Sequence, residues 1–253
     1  MTKIDSLSNY KSISLKEMDK VSLLKRIDTK YVVSLKDLVK FLKAVESTHR
    51  ILEINDKRTQ TYETFYYDTV NMDMYIAHHN KKANRFKVRT RQYIESNLFF
   101  LEIKNKSNKG KTIKKRIKLQ ASSLNGPPDA KQFVSKFSPY QLKDLSPVLA
   151  NTFRRITLVD NNLTERLTID LDLKAWKIED ESSQIKLENI AIIELKRDKN
   201  SLAGTDKQLL DLRIKTMGFS KYAISSSILF SDKVKNNNFK TKQRIVSKLS
   251  LIN

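Results

Sequence analysis

Apolar and polar residues alternate along this chain with two periods. A period of two marks strands, because residues two apart share a face. It runs through Phe86–Tyr93, Leu98–Lys104, Thr112–Leu119, Thr152–Val159, Arg166–Leu173 and Ile190–Lys196. Thr29–Val33 reads as a shorter strand, and Thr61–Ile76 as a strand and turn followed by a short helical or irregular segment. A period near 3.6 marks helices. It predicts Leu15–Lys25, with Met18, Val21, Leu23 and Leu24 near one face, and Leu35–Val45, with Leu38, Phe41 and Leu42 on one face and Ser34 as N-cap. After Gly126-Pro127-Pro128 a helical pattern surrounds Phe133, Phe137 and Leu142, and another spans Asp206–Met217. A further apolar segment covers Tyr222–Phe230, and the tail from Ser231 is basic, Asn-rich and expected to be partly loose. No repeat or interdomain linker is visible, so the fold class is α+β with about eight strands.

Charge changes this picture more than composition does. In 253 residues, 49 are Lys or Arg and 28 are Asp or Glu, a formal net charge of +21. Such an imbalance calls for a polyanionic partner. Arg85, Lys87, Arg89 and Arg91 share a strand face, with Phe86 and Val88 opposite; Lys114, Arg116 and Lys118 share another, with Ile113, Ile117 and Leu119 opposite. Between Arg85 and Lys118 there are twelve cations against Glu95 and Glu102. A face in water is the common use of such alternation, but it mixes signs; like charges opposite one another repel unless an anion joins them. An open sheet with this pattern is a flat basic platform. A closed barrel with the charged faces inward is a tunnel, whose apolar outside needs helices such as Leu38–Leu42, Phe133–Leu142 and Leu209–Ile214.

Glu102, Asp170, Asp172 and Glu194 fall on the faces assigned inward. Each either pairs with a cation or helps hold magnesium or manganese, which prefer oxygen ligands and bridge phosphates. No cysteine occurs, which excludes disulfides and thiolate chemistry, and no P-loop or dinucleotide glycine fingerprint is present. His78 and His79 would point opposite ways on a strand and are read as surface positions; Trp176 is read as packing, and Ser225–Ser227 have no triad context. With no apolar leader in the first twenty residues and no apolar run of membrane length, the protein is expected to be soluble and cytoplasmic. Few aromatics interleave the cations, which argues against a single-stranded nucleic-acid platform.

The motifs are similar to those of a known family. Arg26-Ile27-Asp28-Thr29-Lys30-Tyr31 resembles the R-x-D-x-K-Y opening of the VTC domain, Phe65-Tyr66-Tyr67-Asp68-Thr69 its YFDT strand, and Tyr75 to Asn80 the segment after it. Arg85 to Arg91 resembles its R-x-R strand, Leu101-Glu102-Ile103-Lys104 its E-x-K strand, and Thr112 to Arg116 the basic strand that follows. Arg166 to Asp170, Ile193-Glu194-Leu195-Lys196 and Phe219-Ser220-Lys221-Tyr222 complete the order, over residues 17 to 230.

The resemblance implies a triphosphate tunnel metalloenzyme related to the CYTH phosphatases. Its fold would be an eight-stranded antiparallel β-tunnel, a closed barrel with a polar basic interior, flanked by helices. Residues 1–230 would form one domain and 231–253 a basic tail. It further implies a polyphosphate polymerase that transfers the γ-phosphate of ATP to a growing polyphosphate chain with manganese or magnesium. The same tunnel can hydrolyse triphosphates or merely bind polyphosphate or inositol phosphate. By motif, Lys30, Arg89, Arg91, Lys104, Lys114, Arg155, Lys196 and Lys221 would hold phosphates with Ser220 beside them; Arg26, Lys87, Arg116 and Arg166 extend the set on the same faces. Arg89, Arg91, Lys104, Lys196 and Glu194 are the candidate catalytic residues, and Glu194 and Glu102 the candidate metal ligands. Where the family usually has Tyr-x-Arg this chain has Phe153-Arg154-Arg155, which leaves open which arginine faces the tunnel. Eukaryotic members work beside membrane segments, so a membrane protein is a possible partner.

Overall fold

The computed structural model describes residues 4–18, 26–120, 128–198 and 204–251. The strands are β1 (Lys11–Ile13), β2 (Arg26–Ser34), β3 (His49–Leu52), β4 (Gln60–Asp68), β5 (Arg85–Tyr93), β6 (Leu98–Lys106), β7 (Thr112–Leu119), β8 (Ser146–Asp160), β9 (Glu165–Lys177), β10 (Gln184–Leu187) and β11 (Ile190–Asp198). The helices are α1 (Leu15–Met18), α2 (Leu35–Val45), α3 (Asp73–His79), α4 (Pro128–Phe137), α5 (Gly204–Asp211), α6 (Lys221–Leu229) and α7 (Lys240–Ser250). The predicted helix Leu15–Lys25 is described only as α1; its residues 19–25, like Gly126 and Pro127, lie outside the described residues. No helix among the described residues is long and apolar enough to cross a membrane.

The eight strands read from the sequence form one antiparallel path, in the order β2-β11-β9-β8-β4-β5-β6-β7. The short β1, β3 and β10 add to its margins. The expected closed barrel is corrected: among the described residues no hydrogen bonds join β7 to β2, so the sheet is curved but open. Part of the reason is local. The free edge of β2 is taken by the segment after α5, where Thr216 bridges Tyr31 and the Met217 N–H donates to the Lys30 carbonyl at 2.8 Å. β7, at the other end, is exposed and bears cations on both faces, a composition that discourages strand addition.

Helices cover the apolar outer faces, as the alternation requires. Ser34 caps α2 by accepting from the Asp37 N–H at 3.1 Å, and Leu38, Phe41, Leu42 and Val45 pack fully buried on Val33, Ile193, Leu195 and Leu167. α5 adds Leu209 to this layer. α4 sets Ala130, Phe133 and Val134 against Val88, Leu101 and Ile103 from β5 and β6. A third cluster joins Tyr62, Tyr66 and Phe153 to Tyr222, Ala223 and Ile224, so α6 packs on the opposite, inward side.

The segment after Phe230, expected as a partly loose tail, continues into the fold. Val246 of α7 and the preceding Phe239 are buried in the α6 cluster, and Gln243 Nε2 donates to Ser227 Oγ at 2.8 Å. His78 and His79 are also corrected: they lie on α3, not on a strand, and His79 is 3% exposed. The helix begins there because the buried Asp68 carboxylate accepts the N–H groups of Thr69, Met74 and Tyr75 at 2.8 to 3.0 Å. Tyr222 donates its hydroxyl to the same carboxylate, which ties α6 to the end of β4.

Candidate functional site

Because the outer faces are apolar, the other parity of every central strand points into the concave side. Lys30 (β2), Glu194 and Lys196 (β11), Asp170 (β9), Arg155 (β8), Lys87, Arg89 and Arg91 (β5), Glu102 and Lys104 (β6) and Lys114 (β7) meet there. Ser220 and Lys221, at the start of α6, join them. The curvature is deep enough that Lys30, near one end of the path, acts electrostatically on Lys87 and Lys104, near the other.

Each inward carboxylate clamps two cations. Glu194 accepts from Lys30 Nζ at 2.9 Å through one oxygen and from Lys196 Nζ at 2.8 Å through the other. Glu102, with a side chain 0% exposed, takes Arg89 Nε and Nη2 at 2.8 and 2.6 Å and also pairs with Lys114. Asp170 takes Arg155 Nε and Nη2 at 2.6 and 2.9 Å and also pairs with Lys221. Burial opposes ionisation of all three, but their cations dominate and hold each carboxyl well below the usual range.

The cations are in excess. Nine of them (Lys30, Lys87, Arg89, Arg91, Lys104, Lys114, Arg155, Lys196 and Lys221) face those three carboxylates. Among the described residues Lys87 Nζ donates only to Ser220 Oγ, at 2.7 Å, and Arg91 Nε donates to Thr64 Oγ1 at 3.2 Å. Lys104 makes no ion pair among the described residues. The electrostatic consequence is direct. Burial, then the neighbouring Arg89, pushes Lys104 down to about 7. Burial lowers Lys221 to about 7 against the pull of Asp170, and Lys114 to about 8 against that of Glu102. Lys87 is pushed well below the lysine range by burial together with Lys104 and Lys30.

Some expected members stand elsewhere. Asp172 was assigned inward by alternation, but the pairing of β8 with β9 shifts between Thr152 and Arg154, and Asp172 takes a left-handed φ of 52°. This bulge reverses its parity. Asp172 instead accepts from Arg154 Nε at 2.7 Å, beside a cavity of about 520 Å³ lined also by Thr61, Thr152, Lys174 and Lys186. The inward arginine is therefore Arg155. Arg116 shares the Lys114 face, but on the exposed strand β7, with its guanidinium 4.8 Å from the Phe100 ring centre. Arg166 pairs in register with Lys196 at the margin of the cluster. The Arg26 side chain lies outside the described residues.

The sequence reading missed Tyr62, Thr64 and Tyr66. Their alternation on β4 was a usable signal: Thr64 orients Arg91, Tyr66 stacks on Tyr222 at 4.9 Å, and the Arg91 and Arg155 guanidiniums lie 5.4 and 5.0 Å from the Tyr62 ring centre. Among the described residues no group of three or more His, Asp or Glu side chains converges as a metal cage. Glu194, with a side chain 15% exposed, is the inward carboxylate most open to a shared ion.

Fold and site together define a curved, open antiparallel sheet with a cationic concave face. A search of curated proteins gives no match. Among solved structures, a Bacillus halodurans protein titled a "putative adenylate cyclase" is similar over 78% of this chain and 94% of its own, at 11% identity and a TM-score of 0.50. A Hippeastrum protein, described with a dominant triphosphatase activity, aligns over 83% and 97% at 14% identity and a TM-score of 0.48. The family comparison matches residues 25–230 to the VTC domain, and this chain belongs to that family.

Proposed function

We propose that this protein transfers the γ-phosphate of ATP to the end of a growing inorganic polyphosphate chain inside the cationic channel. The bond from the γ-phosphorus to the β,γ-bridging oxygen breaks, a bond to a terminal oxygen of the acceptor chain forms, and ADP leaves. The observation that carries this reading is the excess of nine inward cations over three carboxylates, with three lysine pKa values lowered to about 7 or 8. Such a cluster fits a ligand of many closely spaced negative charges. Phosphoryl transfer needs chiefly positioning and charge neutralisation, which a rigid cage of this kind supplies. Membership of the VTC domain family supports the same reading.

Lys87, Arg91 and Lys104, without carboxylate partners among the described residues, are the first contacts for phosphate. Arg89, Arg155, Lys30, Lys196 and Lys221 can turn from their carboxylates towards it. A divalent ion of the magnesium type is commonly held by one or two carboxylates plus substrate phosphates and water. Glu194 fits that role, and Glu102, fully buried between Arg89 and Lys114, fits that of a fixed counter-ion. The ion when bound neutralises charge developing on the phosphates.

With water as acceptor the same cage is a triphosphatase, and the packing of α6 into the inward side favours a short ligand. The test is incubation with ATP and manganese, followed by a gel stained for polyphosphate and an assay for free phosphate. Polyphosphate supports transfer; phosphate alone makes the protein a triphosphatase. ATP left intact while it raises the melting temperature makes the protein a binder.

A further inference from the structure

Beyond Arg91 the inward face changes from charged to aromatic. Phe153 on β8 stacks on Tyr62 on β4, with centroids 5.2 Å apart and rings within 2° of parallel. Tyr62 meets Tyr93 on β5 at 4.9 Å, and Tyr93 meets Phe100 on β6 edge-on at 5.6 Å. Arg116 on β7 closes the row with its guanidinium 4.8 Å from the Phe100 ring centre. Five neighbouring strands thus carry an unbroken aromatic row that ends in an arginine.

Burial falls along this row. Phe153 and Tyr62 are 1% and 8% exposed, Tyr93 and Phe100 are half-buried, and Arg116 is exposed. The inner rings already serve Arg91, Arg155 and Lys221, whose cationic centres lie 4.2 to 5.6 Å from them. Among the described residues the outer rings take no cation of the inner cluster, only Arg116 over Phe100. Tyr93 lies two positions from Arg91, about 7 Å along β5, and Phe100 stands directly opposite Arg91 in the β5–β6 pairing, so both rings border the phosphate-type cations. α4 covers the other face of β6, where Phe99 and Leu101 pack, and leaves the Phe100 face to the channel side.

We propose that Phe100, Tyr93 and Arg116 form a platform for the nucleobase of the bound nucleotide. The inference rests on ATP as the substrate and goes further, assigning the site of its base. The base stacks on the Phe100 ring beside the Arg116 guanidinium plane, while the triphosphate runs inward to Arg91, Arg89 and Lys104. Aromatic and guanidinium planes attract any base through its π-face, so the platform selects nucleotides over bare phosphates but discriminates weakly among bases.

Tripolyphosphate has the phosphates without the base, and it separates the two ideas. Dissociation constants for ATP and for tripolyphosphate are measured by calorimetry on the unaltered protein, Phe100→Leu and Phe100→Tyr, with melting curves as a check of folding. Phe100→Leu removes the flat ring and keeps an apolar side chain. It should weaken ATP about tenfold, at the lower end of what stacking on an aromatic ring contributes, and change tripolyphosphate less than twofold. Phe100→Tyr should restore ATP binding. Tyr93→Leu carries the same expectation and serves if Phe100→Leu loses its cooperative melt. Equal losses for both ligands, or no loss for either, overturn the platform while leaving the triphosphate site standing. Failure of the unaltered protein to bind either ligand overturns the triphosphate reading itself.

Discussion

Binding of tripolyphosphate at pH 8 should draw about two protons onto Lys104, Lys114 and Lys221 together, and any that Lys87 takes up add to these. Without ligand, Lys104 and Lys221 titrate near 7 and Lys114 near 8. At pH 8 the first two are then about one-tenth protonated and the third about half. A bound polyanion gives each ammonium the partner it lacks and returns it towards the ordinary lysine value of about 10.4, so all three become charged. Protons that the ligand's own terminal phosphates release on binding are obtained from a titration of free tripolyphosphate and added back to the count. At pH 6.5 the lysines are already mostly protonated, and uptake should fall to about half a proton. Affinity should accordingly drop with rising pH, steeply above pH 7.

The assay is calorimetry in two buffers of different ionisation enthalpy, where the difference in apparent heat gives the proton count. Lys104→Arg provides the internal control. A guanidinium stays protonated throughout, so uptake at pH 8 should fall by about one proton while the charge is kept. The linkage for folding has the matching sign. These lysines have depressed pKa values, so the unfolded chain binds more protons between about pH 7 and 10, and the ligand-free protein gains stability as pH rises through that window. Uptake near zero at pH 8, or no change with Lys104→Arg, would refute the claim that burial and repulsion among the inward cations depress these lysines.

Glu194→Gln removes a charge at nearly constant shape; it should keep or tighten tripolyphosphate binding while metal-dependent turnover of ATP falls at least tenfold. Unchanged turnover at limiting manganese would sink Glu194 as the ion's ligand. Glu102→Gln should instead cost about 3 kcal/mol of stability, because Arg89 and Lys114 are left facing one another in a buried position. Its melting temperature should recover in saturating tripolyphosphate, which supplies the missing negative charge; a deficit that persists with ligand would show a role in packing rather than charge.

Much of this was legible in the sequence, for a physical reason. A strand buried on one side and charged on the other writes its parity into every second residue, so Arg89, Arg91, Lys104, Lys114, Glu194 and Lys196 could be placed inward from alternation alone. The rule fails where the backbone departs from it. At Asp172 the bulge reverses parity, and no glycine marks the left-handed turn. The open edge was also illegible, because Thr216 meets Tyr31 through backbone groups that carry no side-chain signal. Ser225, Ser226 and Ser227 are all 0% exposed although serine runs usually mark surface, which hid the insertion of α6. The strands β1, β3 and β10, of three or four residues each, are too short to show a period.

The three inward carboxylates resolve a conflict between folding and function. On the function proposed above the channel must gather cations, yet a fold that gathers nine of them without counter-charge would be strongly self-repelling. Glu194, Glu102 and Asp170 each bridge two cations from different elements: β2 with β11, β5 with β7, and β8 with α6. They reinforce neighbouring strands and tie α6 to β8, but none of the three spans the open side between β7 and β2. The three inward cations that have no carboxylate partner among the described residues, Lys87, Arg91 and Lys104, all come from β5 and β6. Uncompensated repulsion is therefore greatest on the wall formed by β5 and β6. A phosphate chain entering the channel should be held first by that wall, and only then compete with the carboxylates for the stapled cations. On this argument the β5–β6 wall sets how fast and how tightly a polyanion enters. The Lys30–Glu194–Lys196 bridge, the one that must open for an ion to reach Glu194, sets whether the bound chain reacts.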